Sequence, residues 1–174
     1  TARGLTPSSA PPAPYSVPDM ASDAVAVLNH FKVDDAILAG YSMGCYVTQA
    51  LTSAWHGHVR GVAMLAGLRS SAIGELVNDM ELGLIERLGE IPDNVAVFEQ
   101  LMTTLSPTTL SNDAAVRSWR EILSSGDPVW AAPDGLKGQL TASRSWMLAK
   151  EPTNDRLARI TAPALVVAFE NDLF

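Results

Sequence analysis

The run Gly40-Tyr41-Ser42-Met43-Gly44 limits what this chain can fold into more than any other stretch. The apolar residues Ala36-Ile37-Leu38-Ala39 lead straight into it, and an apolar stretch without glycine follows. A buried strand that feeds directly into a helix needs a very sharp turn. Ser42 at its tip is expected in strained backbone geometry with its hydroxyl pushed into the open. A side chain at position 40 or 44 is expected to collide with the neighbouring strand or helix, which accounts for Gly40 and Gly44. The helix that starts after Ser42 aims its first amides at the same place, where they suit an oxyanion. The stretch reads as a nucleophile elbow.

The rest of the chain supplies a setting for that turn. Residues 4–18 are rich in Pro and Ser and read as a loop. Ser16 is a candidate cap and Pro18 suits a first helical turn. Met20, Ala24, Val27, Leu28 and Phe31 then fall on one helical face. Strands are expected at Ala36–Tyr41, at about 59–66 and at Ala164–Phe169, with a helix from Met43 to about Trp55. From Leu68 to about Glu151 the pattern is helical only. One stripe holds Ile73, Leu76, Val77, Met80, Leu84 and Leu88, and others hold Phe98, Leu101, Met102 and Leu105, then Val116, Trp119 and Leu123, then Leu136, Leu140 and Met147. Continuous apolar strands joined by helices mean a parallel sheet covered on both faces, here with a helical block inserted at the strands' C-terminal edge. The division that follows is a core at 1–68, a helical cap at 69–150 and a return to the core at 151–174.

At 174 residues and 47% hydrophobic content the chain is long and apolar enough for one domain with a real core. No apolar run reaches the length of a membrane span, and no signal-peptide pattern opens the chain. Cys45 is the single cysteine, so an intrachain disulfide is excluded, in keeping with a reducing, cytoplasmic setting. The net charge of -7 is concentrated. Between Ser70 and Val116 Arg87 is the sole base among Glu75, Asp79, Glu81, Glu86, Glu90, Asp93, Glu99 and Asp113. That argues against a nucleic-acid partner and reads as a solvated acidic face, with a charge filter for substrates as the alternative. His56-Gly57-His58 could hold a metal but has no third ligand type near it, and an exposed turn explains it as well. His30, near a helix end, reads as structural. The chain opens on Thr1-Ala2-Arg3 and stops just past a strand-like run, so it is expected to be a piece of a longer chain.

These residues resemble an α/β-hydrolase, of the small bacterial esterase and cofactor-free haloperoxidase type. Gly40-Tyr41-Ser42-Met43-Gly44 matches the family elbow. Residues 160–172, ITAPALVVAFEND, look like the late strand that ends in the catalytic acid. Residues 1–8, TARGLTPS, look like a worn D-x-R-G-x-G-x-S segment, with Thr1 in place of Asp and Thr6 in place of Gly. The helical block corresponds to the family's variable cap. The resemblance implies Ser42 as nucleophile, Asp172 as triad acid and the backbone N–H of Met43 in the oxyanion hole. The other acid position used in the family reads Ala66-Gly67-Leu68-Arg69 here, without a carboxylate. The family places its histidine a few tens of residues after the acid, and His30, His56 and His58 all precede Asp172. The histidine is therefore expected outside this sequence, as are the first strands and the second oxyanion amide, and residues 1–174 alone are expected to be inactive.

The implied activity is hydrolysis of small, apolar carboxylic esters through an acyl-enzyme on Ser42, with no cofactor and no metal. Serine at this position speaks against haloalkane dehalogenase and epoxide hydrolase chemistry, which use an aspartate. Acyl transfer or perhydrolysis on the same serine is one alternative, and a non-catalytic binding protein that lost the histidine is another. Neither the substrate nor the oligomeric state is fixed by these residues.

Overall fold

The computed structural model describes residues 1–67, 69, 71–126 and 129–173. Leu68, Ser70, Pro128 and Phe174, on which some sequence expectations fall, lie outside the described residues. The order is α1 (Val17–His30), β1 (Asp35–Tyr41), α2 (Met43–Ala54), β2 (His58–Leu65), α3 (Ala72–Leu88), α4 (Asp93–Thr104), α5 (Pro107–Leu110), α6 (Asp113–Ser124), α7 (Pro133–Leu148), α8 (Asn154–Ala158) and β3 (Ala164–Val167). The short helices α5 and α8 have no apolar periodicity and were not expected. β3 ends two residues before the expected Phe169.

The three strands form a parallel sheet in the order β1-β2-β3. Tyr41 pairs with Leu65 and Leu65 with Val167, so the three strands end level. Whatever follows each strand emerges along one edge. α2 packs against β1 and β2 and against α1. Leu38 and Val62 from the sheet join Tyr46, Ala50 and Leu51 of α2 and Trp55 just past its end in the core, together with Val17, Met20 and Ala21 of α1. Alternation puts Ile37, Ala39 and Tyr41 on the other side of β1, where they are exposed.

α1 starts where the sequence predicts. Ser16 accepts from the Asp19 amide while the Asp19 carboxylate accepts from the Ser16 backbone N–H, a reciprocal capping box. Its expected apolar face is only half used: Met20 is buried, whereas Val27 and Phe31 are 56% and 71% exposed. The residues before it are anchored rather than a plain linker. Arg3 pairs with Asp23 at 2.6 Å and stacks over Tyr15, and Gln139 donates to the Arg3 carbonyl at 2.9 Å. Gly4, at φ 87°, sits against Gly135 so closely that a Cβ would come within 2.9 Å of its backbone.

The helical region departs most from expectation. Leu76, Met80, Leu88, Phe98, Met102 and Trp119, expected as buried stripes, are exposed. The buried residues of α3 are Gly74 and Asn78. α3 lies against α7, and a Cβ on Gly74 would fall 2.9 Å from the Met147 side chain. The small side of α3 permits this close approach, and it turns the apolar stripe outward. The acidic segment is not uniformly solvated either: Glu81 and Glu99 are half-buried. No helix among the described residues is long and apolar enough to cross a membrane.

Candidate functional site

The site is built on the end of β1. Ser42 has φ 52° and ψ -125°, a conformation that side-chain-bearing residues rarely adopt. Two backbone bonds hold it there: its N–H donates to the Leu65 carbonyl at the end of β2, and its carbonyl accepts from Cys45 N–H, each at 2.9 Å. The side chain makes no capping bond to α2 and is exposed. Met43 opens α2, so its amide belongs to the first turn, whose N–H groups have no intrahelical acceptor.

The glycines around the elbow differ from the sequence expectation in an informative way. A Cβ at Gly40 would lie 2.3 Å from the Gly44 carbonyl oxygen, so glycine there is obligatory. A Cβ at Gly44 would meet open space, which corrects the expected collision: the close pair is formed by the Gly44 backbone, not by its missing side chain. The second steric requirement falls on Gly67, just past β2, where a Cβ would lie 2.6 Å from the Ser42 carbonyl oxygen. Sequence reading missed Gly67. Its available signal was a glycine directly after a buried strand expected beside the elbow.

Ser42 lines three cavities. One, of about 660 Å³, runs along the edge of β1 and includes Val27, Ile37 and Gly44. A second, of about 500 Å³, also holds Asp172, with Thr103, Ser106 and Phe169 around them. A third, of about 250 Å³, opens between α2, α3 and α7 and includes Met43, Tyr46, Asn78 and Glu81. Asp172 is half-buried in a turn after β3 that is closed by its own N–H on the Phe169 carbonyl at 3.0 Å. The adjacent Ser42 and Met43, and Asp172 from the far end of the sequence, thus gather at one edge of the sheet.

The histidines do not join them. His58 starts β2 and faces Asp35 at 3.6 Å, at the opposite ends of the strands from Ser42. His56 is exposed, and His30 packs edge-on to Phe31 at the end of α1. None of the three lines a cavity with Ser42. Among the described residues no group of three His, Cys, Asp or Glu could hold a metal ion. Cys45 is fully buried beneath the elbow, 3.3 Å from the carbonyls of Gly40 and Leu65, and burial pushes its thiol pKa up, so it packs rather than reacts.

The helical side of the site has unusual electrostatics. Burial, reinforced by repulsion from Glu99, pushes the Glu81 carboxyl up to about 8, so it is neutral at pH 7. Burial also raises Glu99. Tyr46 stacks on Trp146 with ring centres 6.0 Å apart and donates to the Arg69 carbonyl at 3.3 Å. Arg156 covers the same Trp146 ring while paired with Glu151 at 2.7 Å.

Residues 1–173 match the family model described as the alpha/beta hydrolase family. Among curated proteins, BpoC of Mycobacterium tuberculosis, which bears the name of a non-heme bromoperoxidase, is 26% identical over 163 residues. That match covers 91% of this chain and 58% of BpoC, so the chain spans less than two thirds of its relative's length. The crystal structure of BpoC from strain H37Rv has a TM-score of 0.81 at 24% identity, over 99% of this chain and 62% of that one. An esterase from Thermogutta terrifontis has a TM-score of 0.71 at 20% identity, over 95% of this chain and 58% of that one. At these identities the two structures speak to the fold alone.

Proposed function

Because this chain belongs to the α/β-hydrolase family, we propose that it carries the nucleophile and the acid of a serine hydrolase acting on carboxylic esters. Its fold is the α/β-hydrolase fold, built on a parallel sheet. The observation that carries the reading is Ser42 at φ 52° on the level edge of the sheet, sharing a cavity with Asp172.

In this mechanism the Ser42 hydroxyl oxygen attacks the ester carbonyl carbon. A histidine from outside residues 1–174 takes the hydroxyl proton, and Asp172 holds that histidine in its working tautomer and stabilises its cation. The Met43 N–H, at the positive end of α2, donates to the oxyanion. Collapse of the tetrahedral intermediate expels the alcohol, which takes the proton from the histidine. Water then attacks the acyl-enzyme and releases the carboxylic acid. Residues 69–150 serve as the cap over the acyl group, and 1–68 with 151–174 serve as the catalytic core. The substrate is a small, largely apolar ester.

The likeness to BpoC favours a second reading on the same serine, in which hydrogen peroxide replaces water as the acyl acceptor and the product is a peracid. One experiment serves both readings. The full-length protein is labelled with a fluorophosphonate, and the products of p-nitrophenyl ester turnover are analysed with and without peroxide. Labelling of Ser42 with release of carboxylic acid supports the hydrolase, and preferential formation of peracid supports the alternative. Labelling at any other residue removes both.

A further inference from the structure

Ser42 is approached from three sides, and among the described residues none of them offers an unpaired cationic side chain. Glu170 and Asp172 line the cavity of about 500 Å³, with no lysine, arginine or histidine. Arg3 lines the cavity of about 660 Å³, but Asp23 already holds its guanidinium at 2.6 Å. The cavity of about 250 Å³ between α2, α3 and α7 is lined by no base and by one acid, Glu81, which the mechanism above leaves without a role.

Val77 and Glu81, at i and i+4, turn one face of α3 to this cavity. Glu81 is half-buried rather than sealed off. It has no hydrogen bond and no ion pair among the described residues, and the charged group that acts on it is another acid, Glu99 of α4. The other polar side chains of the lining are engaged within the protein. Tyr46 donates to the Arg69 carbonyl at 3.3 Å, Asn78 Nδ2 to the Gly74 carbonyl at 2.8 Å and Gln139 Nε2 to the Arg3 carbonyl at 2.9 Å, while Ser143 Oγ lies 3.5 Å from Asn78 Nδ2. The Trp130 ring and apolar side chains such as Leu140 make up the rest. A carboxylate entering here would lose its water, meet no cation and stand beside two carboxyls that already resist ionising together.

In the ester-hydrolase reading, the histidine held by Asp172 returns its proton to the leaving alcohol. The alcohol then departs on the Asp172 side, and the acyl group lies on the Met43 side, where the cavity between α2, α3 and α7 opens. We propose that this cavity receives the acyl part of the substrate and that Glu81 bars acyl groups ending in a carboxylate, so that the substrates are esters of uncharged acyl groups and not half-esters of dicarboxylic acids. This assignment deepens the ester-hydrolase reading and rests on it.

Two substrates of the full-length protein test it: the mono-p-nitrophenyl ester of adipic acid, whose acyl chain ends in a carboxylate, and the same ester with that carboxylate capped as a methyl ester. Chain and leaving group are shared, so the ratio of the two kcat/KM values cancels the titration of the catalytic groups. The wild-type protein should favour the capped ester at least about tenfold at neutral pH, and more as Glu81 ionises above about pH 8. Tyr46, the other titratable side chain of the lining, is pushed up from 10 by burial and stays protonated over that range, and α7 adds no titratable group to the lining. Glu81→Gln should hold the ratio constant with pH. A rise that persists in this variant assigns the effect to Glu99 and overturns the proposal. Where the variant fails to fold, the wild-type protein still decides: equal kcat/KM for the two esters, or a ratio that does not rise with pH, overturns it. Fluorophosphonate labelling of Ser42 and turnover of the capped ester are read separately. With both present, the absence of discrimination overturns this proposal and leaves the hydrolase. With both absent, the hydrolase reading falls and the substrate assignment falls with it.

Discussion

Gly67 and Ser42 are locked together through backbone alone: a Cβ on Gly67 would stand 2.6 Å from the Ser42 carbonyl oxygen and 3.1 Å from its Cα. The segment leaving β2 therefore passes directly beneath the elbow and supports its strained conformation. Gly67→Ala should destabilise the protein by about 1–3 kcal/mol, because backbone rather than a flexible side-chain end must give way. Gly44→Ala, where a Cβ meets open space, should change stability by less than about 1 kcal/mol. Denaturant midpoints of the two variants check this. Equal losses at both positions would show that the elbow is not supported from the β2 side.

The strain at Ser42 gives a second expectation. Ser42→Ala retains the unfavourable φ of 52°, whereas Ser42→Gly relieves it. The glycine variant should melt at a higher temperature than the alanine variant, since about 1–3 kcal/mol of backbone strain exceeds the entropy glycine adds to the unfolded chain. Both should lose ester hydrolysis by at least about a thousandfold. An alanine variant that melts higher than the glycine one would mean that the turn stores no strain.

The sharp turn at Ser42 and the strand that precedes Asp172 were legible because each rests on a local pattern: an apolar run followed by glycines at fixed spacing, and an apolar run followed by Asp172. The level ending of the strands follows from parallel pairing, so the meeting of Ser42 and Asp172 at one edge was legible too. The helical region was not. Its apolar stripes at Ile73, Leu76 and Met80 obey the helical period, but the packed face of α3 is Gly74 and Asn78, offset by a fraction of a turn. Close approach of α7 decided the orientation, and periodicity carries no information about how near a partner comes. Glu81 was invisible for the same reason. In sequence it was one acid among eight, and only its place behind that interface withdraws it from water.

Asp172 carries the next expectation. Asp172→Asn in the full-length protein should leave the fold intact and lower kcat by several orders of magnitude, about 10⁴-fold by analogy with triads in which the histidine tautomer is lost. Steady-state kinetics with a p-nitrophenyl ester, alongside circular dichroism, measure this. A loss of less than about tenfold would assign the orienting carboxylate elsewhere, with Glu170 in the same cavity as the next residue to test.

The last expectation concerns Glu81 and the pH dependence of stability. Burial, and then Glu99, hold its carboxyl protonated in the folded protein up to about pH 8. In the unfolded chain the same carboxyl ionises near pH 4.5, the ordinary value. Between these two values the folded state binds more protons than the unfolded one, so stability falls as pH rises through the window and levels off above it. Glu99, raised by burial as well, contributes with the same sign over its own range. Glu81→Gln cannot titrate and keeps a neutral, hydrogen-bonding side chain of similar size. The variant should therefore lose much less stability than wild type between about pH 5 and about pH 8. Discounted for the half-exposed position, the difference is on the order of 1–2 kcal/mol. Urea midpoints across that range measure it directly. Parallel slopes for the two proteins would place the Glu81 carboxyl in water and remove the neutral lining from the cavity beside Ser42.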